Sequence, residues 1–131
     1  MREALRHFLD AGGGTLVVLS SWAAERGSAI ARHSAYAASK AAVRNVAQTI
    51  AHNHAKDGIL VYVLAPGIVH TPMSEISAVA RGGIDAVNAA LAMGEMVRPE
   101  EVAELIAFLA AGRTRHLSGA TIDVNGATYI R

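Results

Sequence analysis

Two continuous apolar runs, Thr15-Leu16-Val17-Val18-Leu19 and Ile59-Leu60-Val61-Tyr62-Val63-Leu64-Ala65, flank one long alanine-rich segment, and this pattern constrains the chain most. Both runs are rich in β-branched residues and show no alternation with polar ones. That is the pattern of a parallel strand covered on both faces. The segment between them, Ser34 to Lys56 closed by Asp57-Gly58, reads as a helix. A third strand is expected at Thr121-Ile122-Asp123-Val124, ended by Asn125-Gly126. Strands alternating with helices predict an α/β fold, with about three parallel strands and helices on the faces of the sheet.

Other segments fit this frame. Residues about 2–11 form a helix stopped by Gly12-Gly13-Gly14. Ser20 to about Arg32 is a loop containing Gly27 and Ser28. Residues about 72–94 read as a mobile helical flap with Gly82-Gly83 as its hinge. Arg98-Pro99-Glu100-Glu101 opens a further helix, with proline in its first turn and acids at the positive end of its dipole. It runs to about Ala111, with Leu105, Ile106, Phe108 and Leu109 as the expected packing face. No repeat, low-complexity tract or linker divides the chain, so residues 1–131 form a single domain.

Composition narrows the chemistry. The chain has no cysteine, which excludes disulfides, thiolate catalysis and cysteine-based zinc sites. The net charge of +1 without any basic run argues against nucleic acid as a partner. The charged N-terminus is an amphipathic helix rather than a secretory signal. The longest uncharged stretch is broken by Pro66, Gly67 and Pro72, so no membrane span is expected and the cytoplasm is the expected compartment. His7, His33, His52, His54, His70 and His116 are scattered, and none has the spacing of a helical zinc motif, so no metal is expected.

Tyr36 and Lys40 carry the strongest chemical signal. Four residues apart on a helix, they project from one face. An ammonium beside a phenol favours the phenolate, which makes tyrosine a usable proton donor or acceptor. The spacing alone is common, but its context is specific. Ser20 and Ser21 end the first apolar run, and Ala65-Pro66-Gly67 with Thr71 follows the second. Pro66-Gly67 is also a common turn, and Thr71 before Pro72 a natural helix cap, a role compatible with ligand contact. Trp22, Met73 and Ile76 are candidates for shaping a pocket, and equally ordinary core or flap residues. His33 is close to Tyr36 in sequence, though a surface loop is its expected place.

Leu19-Ser20-Ser21, Tyr36-Ala37-Ala38-Ser39-Lys40, Ala65-Pro66-Gly67-Ile68-Val69-His70-Thr71-Pro72, Arg98-Pro99-Glu100-Glu101-Val102-Ala103 and Leu117-Ser118-Gly119 with Asp123-Val124-Asn125-Gly126 occur in this order. Together they resemble the short-chain dehydrogenase/reductase family, over the C-terminal half of that family's domain. The resemblance implies the C-terminal part of a Rossmann-like, doubly wound parallel sheet. It also implies hydride transfer between NAD or NADP and a small alcohol or ketone. Ser21 would hold the substrate oxygen, with Ser20 the alternative because the spacing from Ser21 to Tyr36 is slightly long. Tyr36 would carry the proton, and Lys40 would bind the nicotinamide ribose and lower the tyrosine pKa. Pro66 and Gly67 would let backbone approach the nicotinamide, Val69 would offer backbone groups to its carboxamide, and Thr71 a hydroxyl. A homo-oligomer is implied, with the long helix at the interface.

The family's glycine-rich phosphate turn runs from strand to helix. Gly12-Gly13-Gly14 runs from helix to strand, the wrong order for that role. Nothing in the sequence selects between NAD and NADP. The expectation is a partial domain lacking the N-terminal dinucleotide-binding half, with weak cofactor affinity on its own. The alternative is a non-catalytic association module, pairing through the open edge of Thr15–Leu19 or complementing a separate N-terminal half.

Overall fold

In the computed structural model, which describes residues 1–25 and 31–130, strands β1 (Gly14–Leu19), β2 (Ile59–Pro66) and β3 (Thr121–Val124) form one parallel sheet in the order β1-β2-β3. The helices are α1 (Arg2–Asp10), α2 (Ser34–His54), α3 (Pro72–Val79), α4 (Ile84–Ala89) and α5 (Pro99–Ala110). Short 3-10 turns occupy Trp22–Glu25, Ala31–His33, Ala55–Asp57 and Arg115–Leu117. Gly27 and Ser28 of the expected loop lie outside the described residues.

The two-residue period of a strand explains why β2 is apolar throughout. Ile59, Val61 and Val63 face one way, into a cluster with Val18 of β1 and Ala47, Ile50 and Ala51 of α2. Leu5 and Phe8 of α1 pack against the same cluster. Tyr62 and Leu64 face the other way, onto Val102 and Leu109 of α5, with Leu60 and Ile122 beside them. A strand covered on both faces has no polar side to show. Alanines at 47 and 51 let α2 lie close to the sheet, and both are buried. The one phenol in this core, Tyr62, is satisfied because its hydroxyl donates to the Thr114 carbonyl at 3.0 Å.

Register places Gly14 beside Ile59 and Leu19 beside Leu64, so β1 and β2 start at the same level and β2 runs two residues further, to Pro66. β3 is shorter and joins only the upper part of β2, from Val63 beside Thr121 to Pro66 beside Val124. Among the described residues, β1 has no strand on its other side.

Three expectations change in detail. α2 stops at His54 rather than Lys56, because the chain tightens into a 3-10 turn before Gly58, which takes φ 74°. The flap is two short helices, separated at Gly82 (φ 92°) and Gly83 (φ 95°), with a small core of Ala78, Val87 and Met96. Phe108 is not on the packing face of α5; it is 50% exposed, whereas Val102, Leu105, Ile106 and Leu109 meet the sheet. At about 100° per residue, position 108 falls off the stripe that these four define. No helix among the described residues is long and apolar enough to cross a membrane.

Leu64→Ala should destabilise the fold by about 2–5 kcal/mol, because it opens a cavity where no water replaces the lost contacts. Phe108→Ala should stay within about 0.5 kcal/mol. Urea unfolding followed by far-UV circular dichroism measures both.

Candidate active site

The site begins where β1 leaves the sheet. The Ser20 N–H donates to the Leu64 carbonyl at 2.8 Å, which carries the ladder one residue past the strand. The Ser20 hydroxyl then donates to the Lys40 carbonyl at 2.9 Å, and Lys40 Nζ donates to the Leu19 carbonyl at 3.0 Å. This reciprocal pair joins the end of β1 to the first turns of α2, and one of its two bonds is charge-assisted. Both serines are buried. The Ser21 hydroxyl oxygen accepts the Ala23 N–H at 3.2 Å and starts the 3-10 turn Trp22–Glu25.

Tyr36 lies one turn before Lys40 and is 49% exposed. Lys40 Nζ is 5.9 Å from the centre of its ring, the outer limit of a cation–π contact. No hydrogen bond of the Tyr36 hydroxyl occurs among the described residues.

A second group of expected residues sits at the end of β2. Pro66 closes the strand, and the Gly67 N–H donates to the Val124 carbonyl at 2.9 Å. A Cβ on Gly67 would lie 2.9 Å from Cβ of Asn125, so only glycine fits there without movement. Val69 forms a parallel bridge to Val97, in which Val97 donates to Ile68 and accepts from His70, both at 2.9 Å. In that pattern the amide and carbonyl of Val69 itself face away from the bridge. Thr71 caps α3: its side chain accepts the Ser74 N–H at 3.4 Å, while the Ser74 hydroxyl accepts the Thr71 N–H at 2.9 Å. The Thr71 hydroxyl also lies 3.5 Å from the Val69 carbonyl.

Both groups therefore sit at the carboxyl ends of neighbouring parallel strands, where open α/β sheets bind ligands. A cavity of about 150 Å³ opens beside them, between the end of β3 and the flap. Trp22 and Ile68 line it, with Met93, Met96 and Asn125. Tyr36 and Lys40 do not line it. Met73 and Ile76 do not line it either, and are 79% and 76% exposed. His33 is exposed at the start of α2. Gly12-Gly13-Gly14 lies at the far end of the sheet, where a Cβ on Gly13 would be 3.0 Å from the Gly58 carbonyl. Those glycines serve close packing of two turns.

Two features went unread in the sequence. Asn125 opposes Gly67, a pairing with no local signal. Glu25 pairs with Arg44, and here a signal existed: Arg44 continues the Tyr36–Lys40 spacing by one more helical turn.

Comparison with known proteins agrees with this fold. A family model described as Enoyl-(Acyl carrier protein) reductase matches residues 1–127. The chain belongs to the short-chain dehydrogenase/reductase family. It is 39% identical over 130 residues to cis-4-hydroxycyclohexanecarboxylate dehydrogenase of Sinomonas cyclohexanicum, covering 95% of this chain and 49% of that one. Diacetyl reductase [(S)-acetoin forming] of Staphylococcus aureus is 34% identical over 128 residues, covering 91% and 49%. Among solved structures, ElxO with NADP bound superposes with a TM-score of 0.84 at 25% identity, covering 98% of this chain and 51% of that one. The chain thus spans about half the length of these family relatives, and its sheet matches the C-terminal half of their fold.

Gly67→Ala should cost about 1–3 kcal/mol through overpacking against Asn125. Differential scanning calorimetry of the variant checks this. An unchanged melting curve would mean that the two backbones do not approach as closely as described.

Proposed function

We propose that this chain carries the catalytic half of an NAD(P)-dependent oxidoreductase, transferring hydride between the nicotinamide and a small alcohol or ketone. The observation that carries the reading is the junction of Ser20, Leu19 and Lys40, which holds Ser21 at the strand end against the helix bearing Tyr36 and Lys40. The choice of Ser21 over Ser20 follows from the hydrogen bonds. Ser20 spends its proton on the Lys40 carbonyl, whereas the oxygen of Ser21 only accepts, leaving its proton for a substrate.

The residues present fit one half of the cofactor. Gly67 lacks the side chain that would hold a flat ring away, and Val69 turns an amide and a carbonyl outward, suited to a carboxamide. Thr71 stands at the N-terminus of α3. For the pyrophosphate, the described residues offer no strand-to-helix glycine turn, so the affinity of the chain alone is weak. NAD and NADP remain equal candidates.

When bound, the nicotinamide supplies or accepts the hydride. Ser21 donates a hydrogen bond to the substrate oxygen as negative charge develops there. Tyr36 gives its proton to that oxygen in ketone reduction and takes it back in alcohol oxidation. Lys40 has three N–H groups, one of them committed to Leu19. The other two would hold the ribose hydroxyls of a bound cofactor, and its charge would steady the phenolate left after proton transfer. The fold carries these groups on a rigid strand end and a long helix, so the substrate is oriented without reordering the chain.

Tyr36→Phe should lower kcat by about 10²–10⁴-fold, the usual contribution of a positioned acid–base group, and leave the melting temperature unchanged. NADH or NADPH oxidation with a small ketone measures it. Near-normal turnover in Tyr36→Phe would remove the phenol from the mechanism.

A second reading rests on the edge of β1 that no strand covers among the described residues. Its row of backbone groups suits strand pairing with a second copy or a separate N-terminal half, making the chain a non-catalytic association module. Concentration-dependent light scattering, together with no NAD(P)H oxidation by the unmodified chain, would favour it.

A further inference from the structure

We infer that the Glu25–Arg44 ion pair is a positioning pair for this site: it clamps the segment carrying Ser21 and Trp22 onto the helix carrying Tyr36 and Lys40. The catalytic consequence rests on the hydride-transfer reading above; the clamp itself does not.

Tyr36, Lys40 and Arg44 follow one another at four-residue intervals on α2 and share a ridge. The junction of Leu19 and Ser20 with Lys40 holds one end of the segment that leaves β1. Glu25, the last residue of the 3-10 turn, meets Arg44 one turn further along the helix. Ser21 and Trp22 lie between these two attachments. One presents the candidate hydroxyl, and the other forms a wall of the cavity.

The chemistry suits a clamp rather than an incidental surface contact. The two side chains are only 22% and 17% exposed, so water screens the pair poorly. Arg44 also stands one turn from the ammonium of Lys40, and a carboxylate between turn and helix offsets that like-charge repulsion. The turn Trp-Ala-Ala-Glu packs closely on α2 but carries one large apolar side chain, so the ion pair adds the directional part of its hold. Removing the carboxylate should therefore let the turn lift from α2, carrying the Ser21 hydroxyl away from Tyr36 without unfolding the sheet.

Trp22 is the only tryptophan in the chain and lies inside the clamped segment, so its fluorescence reports the clamp directly. The test compares the unmodified chain with Glu25→Gln, which keeps the shape and removes the charge, and with Arg44→Gln. The double variant Glu25→Gln/Arg44→Gln leaves no unpaired charge and keeps the test open if a single variant fails to fold. The expected result is a red-shifted Trp22 emission and stronger acrylamide quenching in all folded variants, with unchanged far-UV circular dichroism. Arg44→Lys should restore part of the protection. In turnover, Glu25→Gln should lower kcat by about 10–100-fold with KM little changed, because reacting groups lose alignment rather than binding. Trp22 emission and quenching equal to those of the unmodified chain in Glu25→Gln and in the double variant would overturn the inference. Loss of the hydride-transfer reading looks different: no form oxidises NAD(P)H, while the Trp22 response persists.

Discussion

Everything at the candidate site depends on one lysine serving two elements. Lys40 gives its ammonium to the carbonyl of Leu19 and its own carbonyl to the hydroxyl of Ser20. Helix and strand are thereby joined at the level where the strand ends. Further down its length, α2 rests on the sheet through its buried alanines, Val43 and Ile50, with Gln48 donating long 3.4 Å hydrogen bonds to the Gly119 carbonyl and the Thr121 hydroxyl. Apolar contacts of that kind fix a distance between layers but resist sliding poorly, since the hydrophobic effect is non-directional. Directional hydrogen bonds at the upper end supply the missing registration. The same lysine also sits 5.9 Å from the centre of the Tyr36 ring, so the proposed chemistry would draw on a side chain that already has a structural role.

The sheet explains why such a junction can be placed there at all. β2 is paired on both sides and covered on both faces, so its end is held by hydrogen bonds and packing alike. Ser20 continues its hydrogen-bond ladder, and Gly67 turns off it against Asn125. Ser20, Ser21 and Gly67 are thus only one or two positions from an ordered strand. The flap helices have a separate small core around Ala78, Val87 and Met96, which ties them to Ile68 rather than to the sheet interior. This division suits a site whose reacting groups are fixed while its outer wall adapts to what it holds.

Much of this was legible in the residues. Continuous apolar runs gave β1 and β2 to within a residue, since a doubly covered strand leaves few alternatives, and Thr121-Ile122-Asp123-Val124 before Asn125-Gly126 gave β3. Pro99 and the acids after it marked the start of α5, and Thr71-Pro72 marked a helix cap that the structure closes with Ser74. Tyr36, Lys40 and the serine pair stood out because a helical spacing and a strand end can be read locally. What escaped was non-local. Phe108 reads as inward in the sequence because a run of apolar residues hides its phase, and the helical angle alone decides which member faces water. The contact of Gly67 with Asn125 joins positions far apart in the chain that no periodicity connects, and the helical spacing that marks Arg44 does not name Glu25 as its partner. The cavity escaped for the same reason, since its walls come from the first strand's exit, the flap and the end of β3.

The shared slot occupied by Gly67 and Asn125 has a bearing on engineering. The turn after β2 and the tip of β3 fill one volume from two directions, each complete only in the presence of the other. Anyone grafting the substrate-side loop of a relative onto this scaffold would need to transplant both pieces together. Exchanged singly, either would arrive with a bump or a void at the base of the graft. The natural unit of recombination here is therefore a pair of discontinuous fragments rather than a stretch of sequence.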